Sequence, residues 1–205
     1  MIISGNMLPP YIGLSGTNAS GKDSAGNILS QEFNYLFVSV TDILRQELKK
    51  QKLSFSRENM RSLSAEWRRV SGNAFLIDKA VDLFSENTKD YVGLVMASLR
   101  NPSEADRVHA LGGVVIWLDG DPRTRYDRLQ ANLALRGANR SVNDQISFQQ
   151  FLAEEEAEMY RPSGGDSATL SLIDVKKKAD IFIENNTNDL ADLTSKLQLA
   201  LGVKV

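Results

Sequence analysis

Residues 16–22 have the residue types and the spacing of a phosphate-binding loop. Gly16 is followed five positions later by the pair Gly21-Lys22, which is the G-x-x-x-x-G-K pattern. Glycines let successive backbone N–H groups curl around an anion, and a helix that begins after them directs its positive end at the same point. Lys22 would then contact the β- and γ-phosphates of a nucleotide. An apolar run before the loop and a helix-compatible run after it are the context that this motif needs.

The motif departs from the consensus at its last position. Asp23 stands where a Ser or Thr hydroxyl usually ligates Mg²⁺, and Ser24 comes one place late. Two alternatives stay open for Asp23: it holds the metal through water, or it points away and caps the helix. We expect Asp23 and Ser24 to be the protein groups nearest to a bound Mg²⁺.

The composition limits the classes of function. The chain has 205 residues, of which 42% are hydrophobic, and this suits one domain with a sizeable core. A net charge of −2 gives no overall field that favours nucleic acid. With no cysteine and a single histidine, His109, disulfides, thiolate chemistry and a Ser-His triad are not expected. No apolar run approaches the ~20 residues of a membrane span, and the first ten residues do not resemble a secretory signal. We expect a cytoplasmic protein.

Strands and helices alternate along the chain. Five continuous apolar runs are typical of strands in a parallel sheet that is covered on both faces. They are residues 11–15, 35–40, 91–97, 114–118 and 180–183. The alternation predicts a doubly wound α/β fold with a parallel sheet of about five strands, in a single domain over residues 1–205.

Local signals place several of the helices. Asp121-Pro122 predicts a helix start, and Ser147 to Gln150 has the pattern of a capping box. In the helix after this box we expect four side chains to point inward: Phe148, Phe151, Leu152 and Met159. In the last helix the expected core residues are Leu190, Leu193, Leu197 and Leu201.

Arginines concentrate between the fourth strand and the capping box. They are Arg123, Arg125, Arg128, Arg136 and Arg140. Arg125, Arg128 and Arg136 can share one helix face, and a cationic face beside a phosphate loop would neutralise a phosphoryl group in transfer. The alternative is a solvated helix surface with local ion pairs.

Two further arginines, Arg45 and Arg100, lie just past the second and third strands. Ligands of open α/β sheets bind outside the carboxyl ends of the strands, where arginine can clamp a phosphate with two parallel hydrogen bonds. Asp119 ends the fourth strand and is either a metal-holding group or part of a turn, since Asp121-Pro122 follows at once. The third strand ends at Ala97-Ser98 without an acid.

Charged runs elsewhere have a simpler interpretation. Glu154, Glu155, Glu156 and Glu158 are expected to form a solvated helix face, as are Lys176, Lys177 and Lys178.

Five segments together carry a resemblance to a known family. They are residues 16–24, Thr41-Asp42-Ile-Leu-Arg45, Ser98-Leu-Arg100-Asn-Pro-Ser-Glu104, Trp117-Leu-Asp-Gly-Asp-Pro with the arginines that follow, and Ile183-Glu-Asn-Asn-Thr187. The chain resembles the nucleoside monophosphate kinase-like group of P-loop kinases, which includes adenylate kinases, dephospho-coenzyme A kinases and viral deoxynucleoside monophosphate kinases. The resemblance runs nearly from end to end.

The resemblance implies roles for particular residues. ATP with Mg²⁺ would lie on Gly16, Thr17, Asn18, Ala19, Ser20, Gly21, Lys22, Asp23 and Ser24, with Asn185 beside the adenine. Asp42, Arg45 and Arg100 would bind the acceptor, and a helical insert near residues 41–88, which contains Arg57, Arg61, Arg68 and Arg69, would enclose it. A short lid near residues 125–147 would bring Arg136 and Arg140 over the transferring group, and together with Lys22 these would be the catalytic residues.

The function that follows is ATP-dependent phosphoryl transfer to a small phosphorylated acceptor. A nucleoside or deoxynucleoside monophosphate is the expected acceptor, and the partners are small-molecule nucleotides rather than nucleic acid or a membrane, with a monomer or homodimer as the assembly. A dephospho-coenzyme A kinase is the enzymatic alternative, and it would need a base, for which Asp42 is the candidate. An alternative of another class is a nucleotide-binding switch without efficient transfer.

Overall fold

The fold centres on a sheet of five parallel strands. The computed structural model describes residues 8–136, 146–161 and 163–203. The strands are β1 (Tyr11–Gly16), β2 (Tyr35–Ser39), β3 (Gly93–Ala97), β4 (Val114–Asp119) and β5 (Ile181–Glu184). They lie in the order β2-β3-β1-β4-β5, and every neighbouring pair is parallel. The predicted doubly wound sheet is therefore confirmed, and β1, which leads into the phosphate loop, lies at its centre.

Helices cover both faces of this sheet. They are α1 (Lys22–Phe33), α2 (Val40–Lys50), α3 (Arg57–Ser71), α4 (Phe75–Ser85), α5 (Pro102–Ala110), α6 (Pro122–Arg136), α7 (Phe148–Met159), α8 (Leu172–Lys177) and α9 (Leu190–Ala200). Three of them, α2, α3 and α4, lie between β2 and β3, and we call them the helical insert. In the ranges described, no helix is both long and apolar enough to cross a lipid bilayer.

The apolar runs of the strands are continuous because both faces of the sheet are buried. Along β3, Leu94 and Met96 pack into one apolar cluster with the helical insert and α5. Val95 and Ala97, whose side chains alternate with these, pack into a second cluster with α1 and α9. Because β1 and β3 are parallel neighbours, the loops at their carboxyl ends lie at the same edge of the sheet.

The predicted capping box at the start of α7 is present. Gln150 N donates to Ser147 Oγ (3.2 Å), and Ser147 N donates to Gln150 Oε1 (2.9 Å). Phe151 is buried as expected, but Leu152 is 38% exposed and the prediction for it was wrong, because it lies on the outer face of the helix. The prediction for Leu190 was wrong as well: it begins α9, directly after the capping residue, and is 61% exposed.

Candidate active site

The phosphate loop, residues 16–24, makes a tight bend between β1 and α1. Gly16 has φ of 142°, and a Cβ at this position would lie 1.9 Å from the carbonyl oxygen of Leu118 on β4. Gly21 has φ of 99° and is the N-terminal cap of α1, so the helix begins at Lys22. Glycine is required at both places because L side chains rarely adopt these backbone conformations. The positive end of α1 therefore faces the space enclosed by the loop.

Lys22 lies over the loop that precedes it. Its Nζ donates to the carbonyl oxygens of Gly16 (3.1 Å) and Thr17 and lies 3.4 Å from Ser20 Oγ. Burial of the amine, together with the nearby Arg100 cation, lowers the pKa of Lys22 to about 8. A phosphate group beside this amine would favour its charged form, which is the form able to bridge phosphate oxygens.

This pKa leads to a prediction about nucleotide binding. At about pH 8.5 part of the Lys22 population is neutral, and an anionic nucleotide raises the pKa of Lys22 again, so binding takes up protons. We expect calorimetric titrations with ATP in two buffers of different ionisation enthalpy to differ in observed heat at about pH 8.5, and to differ far less at about pH 6.5. Equal heats in both buffers at the higher pH would mean that Lys22 is already charged in the free protein or that it does not contact the phosphates.

Asp119 and Asn185 hold the loop from behind. Thr17 Oγ1 donates to Asp119 Oδ1 (2.7 Å) at the end of β4, and Asn185 Nδ2 donates to the carbonyl oxygen of Ser20 (2.9 Å). Burial raises the pKa of Asp119, but hydrogen bonds from Thr17, Gly120 and the Trp117 indole outweigh it, and the net direction is downward. Asp119 thus acts as a charged anchor for the loop.

One cavity, of about 650 Å³, adjoins the phosphate loop and extends to the helical insert. Asn18, Ala19, Gly21, Lys22, Asp23 and Ser24 line it on the loop side. On the far side it is lined by Val40, Thr41, Leu44, Arg45, residues 54–57, Met60, Arg61, Ser64, Arg68, Ser98, Arg100 and Leu170, and near α6 and α7 by Arg128, Leu129 and Glu158. The structure therefore brings most of the predicted ATP-binding residues and two predicted acceptor-binding arginines into a single space.

Two further predicted site residues, Asp42 and Asn185, do not line this cavity. Asp42 does not line the cavity; its carboxylate, 56% exposed, accepts a hydrogen bond from Arg45 (2.7 Å). Asn185 lies behind the phosphate loop and is absent from the cavity wall. Arg136 is the last residue of α6, and Arg140 lies outside the described residues.

Glu158 on α7 contacts three arginines at the cavity wall. Its Oε1 accepts from Arg61 Nη2 (2.9 Å) and Arg57 Nη1 (3.4 Å), and its Oε2 accepts from Arg100 Nη1. Burial alone would raise the pKa of Glu158, but Arg100, Arg57 and Arg61 outweigh this effect and lower it to about 2. The expected solvated acidic face was wrong at this residue, whose side chain is 6% exposed.

Arg125 corrects the expected cationic face of α6. It is 2% exposed and pairs with Glu155 of α7, while its Nε and Nη1 donate to the carbonyl oxygens of Gly120 (2.8 Å) and Asn18 (3.1 Å). Its charge is thus neutralised by the neighbouring helix, and its role is to hold the phosphate loop. Arg128, on the same helix, does line the cavity.

Glu104 is a second carboxylate that sequence reasoning missed. It forms a buried ion pair with Arg68 of α3 (2.6 Å), and its other oxygen accepts the backbone N–H groups of Arg100 (2.7 Å) and Asn101 (3.1 Å). The signal was present, because an Asn followed by Pro and, three residues on, by Glu is the pattern of a capping box. This pair fixes the backbone that carries Arg100 and joins it to the helical insert.

Solved structures similar to this fold include kinases. A shikimate kinase from Bacteroides thetaiotaomicron is similar with a TM-score of 0.56 and 12% identity, over 94% of this chain and 98% of that one. TT1252 from Thermus thermophilus is similar with a TM-score of 0.54 and 19% identity, over 97% of this chain and all of the other. At these identities the comparison bears on the fold.

Relatives in sequence include two archaeal proteins. UPF0200 protein MJ1399 of Methanocaldococcus jannaschii is 31% identical over 121 residues, which are 58% of this chain and 60% of that protein. UPF0200 protein MmarC6_1392 of Methanococcus maripaludis is 25% identical over 178 residues, 86% of this chain and 88% of the relative. The family described as AAA domain matches residues 12–161, which include the phosphate loop, the helical insert and α7. Since this match covers well over half of the sequence, the chain belongs to the AAA domain family and has the α/β fold of a P-loop kinase.

Proposed function

We propose that the protein transfers the γ-phosphoryl group of ATP to a small acceptor that carries a phosphate, and that this acceptor is a nucleoside or deoxynucleoside monophosphate. The observation that carries the proposal is the shared cavity, in which Lys22 and the start of α1 face Arg45 and Arg100. A donor phosphate on the loop and an acceptor phosphate on the arginines would occupy one space. Phosphoryl transfer between two such groups requires mainly positioning and charge stabilisation.

The carboxylates of the cavity wall offer few candidates for the base that a hydroxyl acceptor needs. A hydroxyl group, as in the dephospho-coenzyme A kinase alternative, needs a base to take its proton, whereas a phosphate oxygen is already ionised. Among the described residues, Asp23 and Glu158 are the carboxylates in the cavity wall, and Asp42 is outside it. The pKa of Glu158, about 2, makes it a poor proton acceptor, which leaves Asp23 as the group for a hydroxyl acceptor.

Asp23 and Ser24 fit the role of protein groups for Mg²⁺. Both line the cavity directly after Lys22. Protein sites for this ion often supply only one or two oxygens, with phosphates and water completing the octahedron, so the absence of a three-carboxylate group in the described ranges is compatible with it. When bound, Mg²⁺ would neutralise the charge that develops on the phosphates. Asp119 fits less well, because Thr17, Gly120 and Trp117 already donate to its oxygens.

A kinase assay over a panel of acceptors tests the proposal. The panel contains ribo- and deoxyribonucleoside monophosphates, dephospho-coenzyme A and shikimate, and turnover is read by ADP release and by the mass of the product. A phosphorylated monophosphate supports the proposal, and turnover restricted to dephospho-coenzyme A or shikimate would replace it with a hydroxyl kinase. If ATP binds and no acceptor is phosphorylated, the nucleotide-dependent switch becomes the better explanation.

A further inference from the structure

Three arginines from two parts of the fold meet at one carboxylate. Arg57 and Arg61 lie one turn apart on α3 of the helical insert, and Arg100 follows β3 in the core of the domain. All three line the cavity and also contact Glu158, with the insert arginines on one oxygen and Arg100 on the other. Glu158 therefore bridges the helical insert and the core at the part of the cavity where we propose that the acceptor binds.

The scaffold holds Glu158 firmly. Phe151, one of the most buried side chains, packs against Tyr126 of α6, and Glu155 on the same helix pairs with the buried Arg125. The capping box at Ser147 fixes the start of the helix. These contacts hold α7, and with it the backbone that carries Glu158.

We propose that Glu158 is a positioning residue that assembles Arg57, Arg61 and Arg100 into one receptor for the anionic group of the acceptor. This inference rests on the proposed function, because it concerns the residues that bind the acceptor in the same cavity. It adds two binding residues, Arg57 and Arg61, which lie on α3 and not at the end of a strand. Without the carboxylate, the three guanidinium groups repel one another and point apart. An anion that binds then has to bring them together, and this lowers its affinity.

The charges of the cluster leave it suited to an anion. Glu158 and Glu154, which lies 3.2 Å from Arg57 Nε, provide two negative charges against three guanidinium groups. Each guanidinium has five N–H donors, so a single carboxylate leaves several of them for a ligand. Arg61 and Arg100 are only partly buried, and their free edges border the cavity.

A competing explanation predicts the opposite result. If the Glu158 carboxylate occupied the place of the acceptor anion, the anion would have to displace it, and removing its charge would strengthen anion binding. A positioning residue has the reverse effect, since its removal weakens anion binding. The sign of the change therefore decides between the two.

The test measures anion binding in Glu158→Gln and in a matched control, Glu156→Gln. Glu156 lies on the same helix and is exposed. Inorganic phosphate and, separately, acetate are titrated by calorimetry while a non-hydrolysable ATP analogue with Mg²⁺ saturates the phosphate loop. We expect Glu158→Gln to raise the phosphate Kd roughly 10-fold and the control to leave it unchanged. Tighter binding of phosphate than of acetate identifies a phosphate-bearing acceptor, and the reverse order identifies a carboxylate.

Three results would overturn the inference. An unchanged phosphate Kd in Glu158→Gln together with lowered thermal stability would indicate a purely structural role, and a lower Kd would indicate that Glu158 competes with the anion. The third result is that the unaltered protein binds no phosphate. If Glu158→Gln does not fold, Arg61→Gln is measured instead, and an unchanged Kd there is equally contrary. The titration needs no turnover. A Glu158-dependent phosphate site in a protein that phosphorylates nothing would refute the proposed function and still retain Glu158 as the residue that positions three arginines around an anion.

Discussion

Replacing Lys22 by alanine is expected to lower kcat/KM for ATP by roughly 100- to 1000-fold, because preorganised cations at a transferring phosphoryl group supply several kcal/mol of the barrier reduction. Lys22 donates to loop carbonyl oxygens and contributes nothing to the apolar clusters, so the folded state should persist. The measurements are steady-state turnover with the best acceptor of the panel and ATP affinity by calorimetry.

Lys177→Ala is the matched control for this prediction. Lys177 is a largely exposed lysine on α8 that pairs with Asp174, and it does not line the cavity. Its replacement should leave turnover and ATP affinity unchanged, and circular dichroism should be the same for both variants. If Lys22→Ala retained the turnover and the ATP affinity of the unaltered protein, residues 16–24 would not be a nucleotide-binding loop.

The fold could be predicted because its determinants are local. The five apolar runs coincide with the observed strands to within about two residues, and the Gly16 to Lys22 spacing specifies a bend that only glycine permits. Continuous apolar runs between helical patterns leave few alternatives to a parallel sheet with helices on both faces. A parallel sheet places the carboxyl ends of all its strands at one edge. Arg45 and Arg100, which come just after strands in the sequence, line the cavity at this edge.

The pairing of charges could not be predicted, because it depends on contacts between distant segments. Arg57 and Arg61 are about 100 positions from Glu158, and Arg125 is 30 from Glu155. A helix with acids at positions 154 and 158 has the same local pattern whether it faces water or a partner helix. The complementary spacing of the arginines on α3 was the one available signal, and only the tertiary arrangement shows that the two sets meet.

The same limit applies to the choice between enzyme and switch. The absence of an acid after β3 left the catalytic set incomplete in the sequence, and the structure shows Ser98 there with φ of 73°, a strained conformation at the cavity wall. A nucleotide-binding switch needs no binding site for an acceptor. The arginines at the far wall, held by Glu104 and Glu158, therefore form the part of the site whose alteration separates the two functions.

Arg100→Lys is expected to lower kcat/KM for the acceptor by roughly 10- to 100-fold while ATP affinity changes little. Lysine keeps the charge but loses the planar fork that binds an oxyanion with two parallel hydrogen bonds. Arg45→Lys should act in the same direction, and Arg69→Lys is the control, because Arg69 pairs with Asp166 and does not line the cavity. The measurements are acceptor kinetics at saturating ATP and nucleotide affinity by calorimetry. A switch has no acceptor and predicts no such separation, and unchanged acceptor kinetics in both Arg100→Lys and Arg45→Lys would mean that the acceptor binds elsewhere.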